Sequence, residues 1–199
     1  FAMVLPEDTE NRLRYLMRGY VFGAMIAATL AVAGYFSFIP GGYDYGDKLT
    51  TPMTAHPKRC PVTGELHFFG YRAFPPLLTY HRADRDGNLV QSEEITVPGP
   101  TMIHDFAITE HSVVFMDLPV VCDPMLLMQQ TMPYRWSDDY GARIGIMPRG
   151  GGNADVQWFE SEPCYVFHPL NAAERQPGHL EIDVARYPHL WRDLQDAFE

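Results

Sequence analysis

The stretch YDYGDKLTTPMTAHPKRCPVTGELHFFGY, residues 43–71, places His56 just ahead of an aromatic run that is typical of a β-strand. A second stretch, MIHDFAITEHSVVFMD at residues 102–117, places His104 in a similar apolar setting. Imidazole is the commonest protein ligand for transition metals. Because different strands of a rigid sheet can hold two imidazoles at fixed positions, this pair indicates half of a metal site.

Short apolar and aromatic runs, broken by turn residues, continue along the rest of the chain. The Asp-Gly pair in RDGN, residues 85–88, is typical of a hairpin turn between two of them. The runs recur at roughly the 8–12 residue spacing of all-β domains. The sequence therefore predicts an all-β fold and excludes a βαβ fold, with a β-propeller, a sandwich and a barrel as open alternatives. The predicted strands are 66–71, 77–83, 89–97, 101–109, 111–118, 142–148, 156–160, 164–170 and 179–185.

The Met-rich stretch at residues 123–140 interrupts this pattern. Its composition predicts a short helix followed by a long loop. Such a loop either crosses the face of a sheet and lines a substrate cleft, or is a surface connection that covers apolar strand ends.

The N-terminal part of the chain has a different character. Residues 21–39, VFGAMIAATLAVAGYFSFI, contain no charged residue and approach the roughly 20 apolar residues that span a bilayer as a helix. A membrane helix is favoured over a buried segment of a soluble domain, and Pro40 with the two following glycines marks a boundary. We divide the chain into residues 1–40, an apolar segment with expected membrane association, and residues 41–199, the β-domain.

Charge and cysteine content narrow the choice of partner and compartment. The formal net charge is −10, from 25 acidic and 15 basic residues, and the basic residues form no cluster. This argues against a nucleic-acid partner. The odd number of cysteines and the absence of a CxxC pair argue against a disulfide framework and favour reduced thiols. We therefore expect a cytoplasmic location, with membrane association through the apolar segment. The three are Cys60, Cys122 and Cys164.

Three of the eight histidines differ from the others in their surroundings. Each of these three, His56, His104 and His168, lies in or beside a short apolar run. By contrast, His81 and His111 lie next to turns or charged residues, which fits surface or hydrogen-bonded roles. Ligating histidines usually donate their second ring N–H to a carboxylate or carbonyl. Carboxylates stand near two of the three, Asp105 beside His104 and Glu174 after His168.

The same stretches resemble hallmark motifs of the carotenoid cleavage oxygenases, the family that includes the lignostilbene dioxygenases and the retinal pigment epithelial membrane protein. The resemblance extends to VPGPTMIHDFAITEHSVVFMDLPVVCDP and to PYRWSDDYGARIGIMPR followed by WFESEPCYVFHPLNAAE. These motifs occur in the order of the family and cover roughly residues 43–187.

The resemblance implies a seven-bladed β-propeller with Fe(II) on its axis, held by four histidines. It implies that O2 cleaves a C=C bond of a carotenoid, apocarotenoid or stilbene into two carbonyl products. His56 matches the second ligand and His104 the third. Glu174 matches a carboxylate that hydrogen-bonds a ligand, which we assign to His104, whereas His168 is placed outside the ligand set, in a second shell or the core.

The chain also departs from the family pattern. The first family ligand is expected within residues 1–40, where no histidine is present, and the fourth beyond Glu199. The sequence thus predicts a partial propeller, and the non-Met start at Phe1 indicates a fragment. The implied function is an Fe(II)-dependent dioxygenase acting with O2 on an apolar polyene or stilbene. The alternative is a catalytically inactive, truncated or fused remnant.

Overall fold

The computed structural model describes residues 44–129, 132–176 and 178–188. These residues form two four-stranded sheets, two two-stranded sheets and very little helix. The prediction of an all-β fold is confirmed. Each sheet is open, with two edge strands, so the described residues alone do not close into a ring or barrel.

The first sheet is an antiparallel meander in which each strand pairs with the next along the chain. Its third and fourth strands are joined by the predicted hairpin turn, where the Asp84 carboxylate accepts the N–H groups of Asp86 and Asn88. Gly87 has a φ of 86°, a left-handed conformation that favours glycine. The strands are β1 (Lys58–Arg59), β2 (Leu66–Tyr71), β3 (Leu78–Ala83) and β4 (Leu89–Glu94).

The second sheet has the order β10-β9-β6-β5, and its strands are also antiparallel. Gly145 of β9 pairs with Trp158 of β10, and a Cβ at residue 145 would lie 2.7 Å from the indole ring. Only glycine therefore leaves space for that ring. The strands are β5 (Ala107–Ile108), β6 (Ser112–Asp117), β9 (Ala142–Pro148) and β10 (Gln157–Ser161), with a 3-10 helix at Asn153–Asp155.

Two hairpin-like pairs complete the described fold. Strand β7 (Val120–Cys122) pairs with β8 (Tyr134–Trp136), and helix α1 (Pro124–Met128) lies between them in sequence. The predicted short helix at residues 123–140 is confirmed, but the rest of that stretch is not all loop because it contributes β8. Strand β11 (Pro169–Gln176) pairs with β12 (His179–Val184).

No helix among the described residues combines the length and the apolar character needed to cross a membrane. The apolar segment at residues 21–39 lies outside the described residues.

The segment that carries His104 differs from the prediction of a strand over residues 101–109. Only Ala107 and Ile108 lie in a strand, and Thr101 makes an isolated bridge to Val121. Side-chain hydrogen bonds take the place of strand pairing in this segment. The Thr101 hydroxyl donates to Asp117, and the Asp105 carboxylate accepts the backbone N–H of Phe106. Such local side-chain bonds compete with regular strand pairing.

Two hydrophobic clusters hold this irregular segment from both sides. Ile103 and Phe106 are buried in the cluster formed by the first sheet and by β6 and β9. Met102 is buried in a second cluster together with Tyr165 and Val166. Each large apolar side chain buried in this way contributes on the order of 2 kcal/mol. The backbone around His104 is therefore fixed by packing although it forms no continuous strand.

Candidate metal centre

The rings of His56, His104 and His168 lie together in one cluster. One potential ligand atom from each residue lies within 4.8 Å of those of the other two. The Nε2 atoms of His56 and His104 are 3.1 Å apart. The three pairs of ring centroids are separated by 4.8, 4.6 and 4.9 Å. We call these three residues the histidine cluster.

Each member of the histidine cluster comes from a different part of the chain, just ahead of a strand. His56 precedes β1, His104 precedes β5, and His168 immediately precedes β11. His56 and His104 are half-buried, and His168 is exposed. The cluster is therefore a product of tertiary packing, and it is open to solvent on the side of His168.

An aromatic side chain restricts the rings from one side. The Phe167 ring packs edge-on against His104 at a centroid distance of 5.4 Å. Phe167 also packs edge-on against Tyr165 at 4.9 Å and Tyr187 at 5.6 Å. This aromatic packing limits rotation of the His104 imidazole and places apolar surface beside the cluster.

The environment favours neutral imidazoles in the two half-buried members. The pKa of His104 is lowered to about 4, mainly by burial and also by the neighbouring rings of His56 and His168, while Asp105 opposes the shift. The pKa of His56 is also lowered, mainly by burial, against the opposing charge of Asp105. Metal ligation requires the neutral imidazole, so both rings have the protonation state that a ligand needs.

A buried carboxylate borders the cluster. Asp105, which is 3% exposed, lies 2.7 Å from the Lys58 ammonium nitrogen through Oδ1. Its Oδ2 lies 3.4 Å from Nδ1 of His168. A carboxylate accepts hydrogen bonds, so this contact requires a proton on Nδ1 of His168. In a neutral ring, Nε2 is then the nitrogen available to a metal.

The spacing of two of the three rings fits a divalent transition metal. Zinc–imidazole bonds are about 2.1 Å long, so two nitrogens bound at a right angle lie roughly 3 Å apart. The Nε2 atoms of His56 and His104 match this separation at 3.1 Å. Imidazole nitrogens suit zinc, iron or copper, and the exposed side leaves room for a further ligand.

The placement of His168 differs in part from the expectation, which put it outside the ligand set, in a second shell or in the core. Its side chain is 53% exposed, so it does not lie in the core, and its ring lies beside those of both other histidines. Its place inside or outside the ligand set stays a prediction. The clue in the sequence was the apolar run Val166–Phe167 directly before it, which resembles the setting of the other two.

Glu174 lies in different surroundings from those expected. Its carboxylate accepts a hydrogen bond from the Thr109 hydroxyl. Its pKa is lowered by hydrogen bonds from Thr109 and Ser112 and by the nearby His111, against the opposing effect of burial. These contacts place Glu174 at the turn between β5 and β6. The carboxylate that contacts a ring of the cluster is Asp105, and its assignment required the tertiary structure.

Comparison with known proteins places this geometry in context. The family model of the retinal pigment epithelial membrane protein matches residues 10–198. The chain belongs to this family. The match is broader than the stretch of residues 43–187 recognised in the motifs, and it includes the apolar segment at residues 21–39.

Members of this family with known sequence or structure resemble the chain over most of its length. A carotenoid cleavage oxygenase of Mycobacterium tuberculosis is 37% identical over 194 residues, covering 76% of this chain and 39% of the relative. The lignostilbene dioxygenase of Pseudomonas brassicacearum superposes with a TM-score of 0.66 at 31% identity, covering 73% of this chain and 31% of that one.

A cobalt-substituted apocarotenoid oxygenase of Synechocystis superposes with a TM-score of 0.62 at 27% identity. It covers 76% of this chain and 34% of that one. The relatives thus include carotenoid and stilbene cleavage enzymes, and one of them has been crystallised with a transition metal. The chain spans about two fifths or less of the length of these relatives.

Proposed function

We propose that the protein acts as a non-haem Fe(II)-dependent dioxygenase that cleaves a C=C bond of a carotenoid, apocarotenoid or stilbene. The observation that carries the proposal is the meeting of three imidazoles from distant segments, in a chain that belongs to a family of cleavage oxygenases. The reaction converts one alkene and one O2 into two carbonyl compounds, so both oxygen atoms enter the products.

The residues that would hold the iron are His56, His104 and His168. Bound Fe(II) would supply the redox chemistry that activates O2 toward the alkene. The chain itself presents neutral nitrogen donors and keeps one side of the site open. Asp105 holds the proton of His168 on Nδ1, which leaves Nε2 of that ring as the nitrogen that would bind the metal.

Apolar side chains next to the cluster suit an apolar substrate. Phe167 packs edge-on against His104 and places apolar surface beside the cluster. Burial of apolar surface against this ring would favour a polyene or stilbene over a polar substrate. The relatives named above support this class of substrate, since their names specify carotenoid and lignostilbene.

We further propose that the described sheets are blades of a seven-bladed β-propeller. Support comes from the two four-stranded antiparallel sheets, a size typical of propeller blades, and from the superposition on the lignostilbene dioxygenase. A cytoplasmic location, with membrane association through residues 1–40, stays a prediction from the sequence.

Anaerobic loading of the chain with Fe(II), followed by exposure to O2 with a carotenoid or a stilbene, tests the proposal. Saturable iron binding and paired carbonyl products, detected by chromatography and mass spectrometry, would support it. Saturable binding without cleavage would favour the catalytically inactive alternative. Failure to bind Fe(II) or Co(II) at all would contradict the proposed metal centre.

A further inference from the structure

One buried carboxylate links all three segments that carry the histidine cluster. Asp105 follows His104 directly in the chain. It forms an ion pair with Lys58, which lies two residues after His56, and it contacts His168. A single side chain thus connects elements that are far apart in sequence.

The contacts of this carboxylate use both of its oxygens. Oδ1 accepts the Phe106 backbone N–H at 2.8 Å and lies 2.7 Å from Nζ of Lys58. Oδ2 faces Nδ1 of His168 at 3.4 Å. The local bond to Phe106 fixes the carboxylate relative to its own backbone, so the side chain has a defined direction before it meets its two distant partners.

The charge of Lys58 is what makes this buried carboxylate tolerable. An unpaired buried carboxylate would lose several kcal/mol of solvation, and removal of one partner of a buried pair is strongly destabilising. The Lys58 side chain is 29% exposed, and its ammonium group also lies 5.9 Å from the centre of the buried Phe106 ring. The ion pair therefore anchors the segment of His56 to the segment of His104.

We infer that Asp105 is a positioning residue: it fixes the tautomer and orientation of His168 and, through Lys58, the distance between the segments of His56 and His104. This inference rests on the proposed metal centre for its purpose, although the contacts themselves are present in the chain. Carboxylates that hydrogen-bond ligand histidines commonly account for 10–100-fold in metal affinity.

The fold offers a matched control in Asp117. This residue is also fully buried and pairs with a cation, with Nε of Arg143 at 2.8 Å from Oδ2. It accepts further hydrogen bonds from Thr101 and Tyr140. Its described contacts include no histidine, and an asparagine keeps a side-chain oxygen that can still accept the Thr101 hydroxyl of the His104 segment. Asp117→Asn therefore reproduces the loss of a buried charge pair and retains an acceptor for that bond.

The experiment compares Asp105→Asn and Asp117→Asn in the full chain by two measurements. The first is the Kd for Co(II), followed by its visible absorption. The second is the ¹⁵N spectrum of the His168 ring in the metal-free protein at pH 8, which reports the nitrogen that carries the proton.

We expect Asp105→Asn to weaken Co(II) binding by about 10–100-fold and to move part of the His168 proton from Nδ1 to Nε2. Asp117→Asn should change the Kd by less than about threefold and leave the His168 spectrum unaltered. Equal losses of affinity in both variants, or an unchanged His168 spectrum in Asp105→Asn, would overturn the inference.

A second variant covers the case in which Asp105→Asn does not fold. Lys58→Met retains the carboxylate and removes only its distant cation, so His168 should keep its proton on Nδ1 while Co(II) binding weakens. Unaltered Co(II) affinity in Lys58→Met would contradict the proposed link between segments. If the wild-type chain bound no Co(II), the metal centre would fail, but the ¹⁵N spectrum would still decide whether Asp105 orients His168.

Discussion

Burial lowers the pKa of histidines in two groups in this molecule, but the ring nitrogens of the two groups have different neighbours. His67 and His81 lie within the first sheet, and their side chains are 0% and 1% exposed. His56 and His104 lie outside regular strands and are only half-buried. Burial lowers the pKa of His67, His81 and His104 alike, to about 4 in each case.

The difference lies in what the ring nitrogens face. Nδ1 of His67 bonds the Tyr80 hydroxyl at 2.6 Å, and Nε2 accepts from Arg149 at 3.0 Å. Both nitrogens of His81 face hydroxyl groups, those of Ser92 and Thr51. These rings have complementary hydrogen-bond partners on both sides, as buried structural histidines require.

In the histidine cluster, by contrast, Nε2 of His56 faces Nε2 of His104 at 3.1 Å, and the third ring lies against both. Two neutral imidazoles can share at most one proton between such a pair of nitrogens, whereas a metal ion can bind both lone pairs. Burial and a lowered pKa therefore do not identify a ligand histidine. The identity of the neighbouring group does.

The largest effect is expected from acid, and it should come from the three histidines whose pKa is lowered to about 4, which are His67, His81 and His104. A histidine whose pKa falls from 6.5 unfolded to about 4 folded stabilises the protein above pH 6.5, and this stability is lost as the pH falls toward 4. The loss is on the order of 3 kcal/mol for each such histidine. Arg149 and Arg82 strengthen the shift of His67, and Glu65 opposes it.

Urea unfolding of the metal-free chain between pH 7 and pH 4 measures this loss. His67→Phe should make the dependence of the unfolding free energy on pH shallower, since one titrating group is removed. An equally steep dependence in that variant would show that His67 does not titrate with folding.

Removal of a ring from the histidine cluster should abolish tight metal binding. His104→Ala deletes a proposed ligand, so the Kd for Co(II) should rise by more than the roughly 100-fold upper figure for a carboxylate that only hydrogen-bonds a ligand. His111→Ala is the control, because His111 is exposed at the turn between β5 and β6. Similar losses in the two variants would remove the basis for assigning His104 as a ligand.

Replacement of His67 should have the opposite profile. His67→Phe preserves an aromatic ring but leaves the Tyr80 hydroxyl and the Arg149 guanidinium without this partner. The unfolding free energy at pH 7 should fall by about 2 kcal/mol, as expected for buried polar groups left unpaired. Metal affinity, measured on the folded variant, should stay within threefold of wild type. A large loss of metal affinity would contradict the prediction that His67 has a structural role and no role in metal binding.

The smallest effect on the metal is expected for Glu174→Gln. The family resemblance predicts a 10–100-fold loss of iron retention if this carboxylate acts on His104. Its contacts with Thr109 and its position near Ser112 indicate a role in the turn, so we expect less than a threefold change in Kd. An affinity loss equal to that of Asp105→Asn would favour the placement that the resemblance predicts.

The sequence predicts much of the fold because the strands carry local signals. Strand β2 and strand β9 begin and end where the apolar runs do, and the Asp-Gly turn lies where it is expected. The segment around His104 was predicted as a strand, because its apolar pattern suits one. Its real conformation depends on bonds to Asp117 and to the backbone of Val120, which no local pattern reveals.

The candidate site was only half predictable for the same reason. His56 and His104 stood out through the motifs around them, and the structure brings them together across 48 residues. The contact between Asp105 and His168 spans 63 residues and is set by packing of Met102 and Tyr165 in one cluster. A sequence shows that an acid stands beside a histidine, but it does not show which ring that acid faces.

The proposed metal centre requires three imidazoles of this chain to bind one metal ion. X-ray absorption spectroscopy of the chain loaded with one equivalent of Co(II), compared with His168→Ala, counts the imidazoles bound to the metal. We expect three imidazole nitrogens at about 2.1 Å in the wild type and two in the variant. A spectrum that shows fewer than three in the wild type, or no change in His168→Ala, would contradict it.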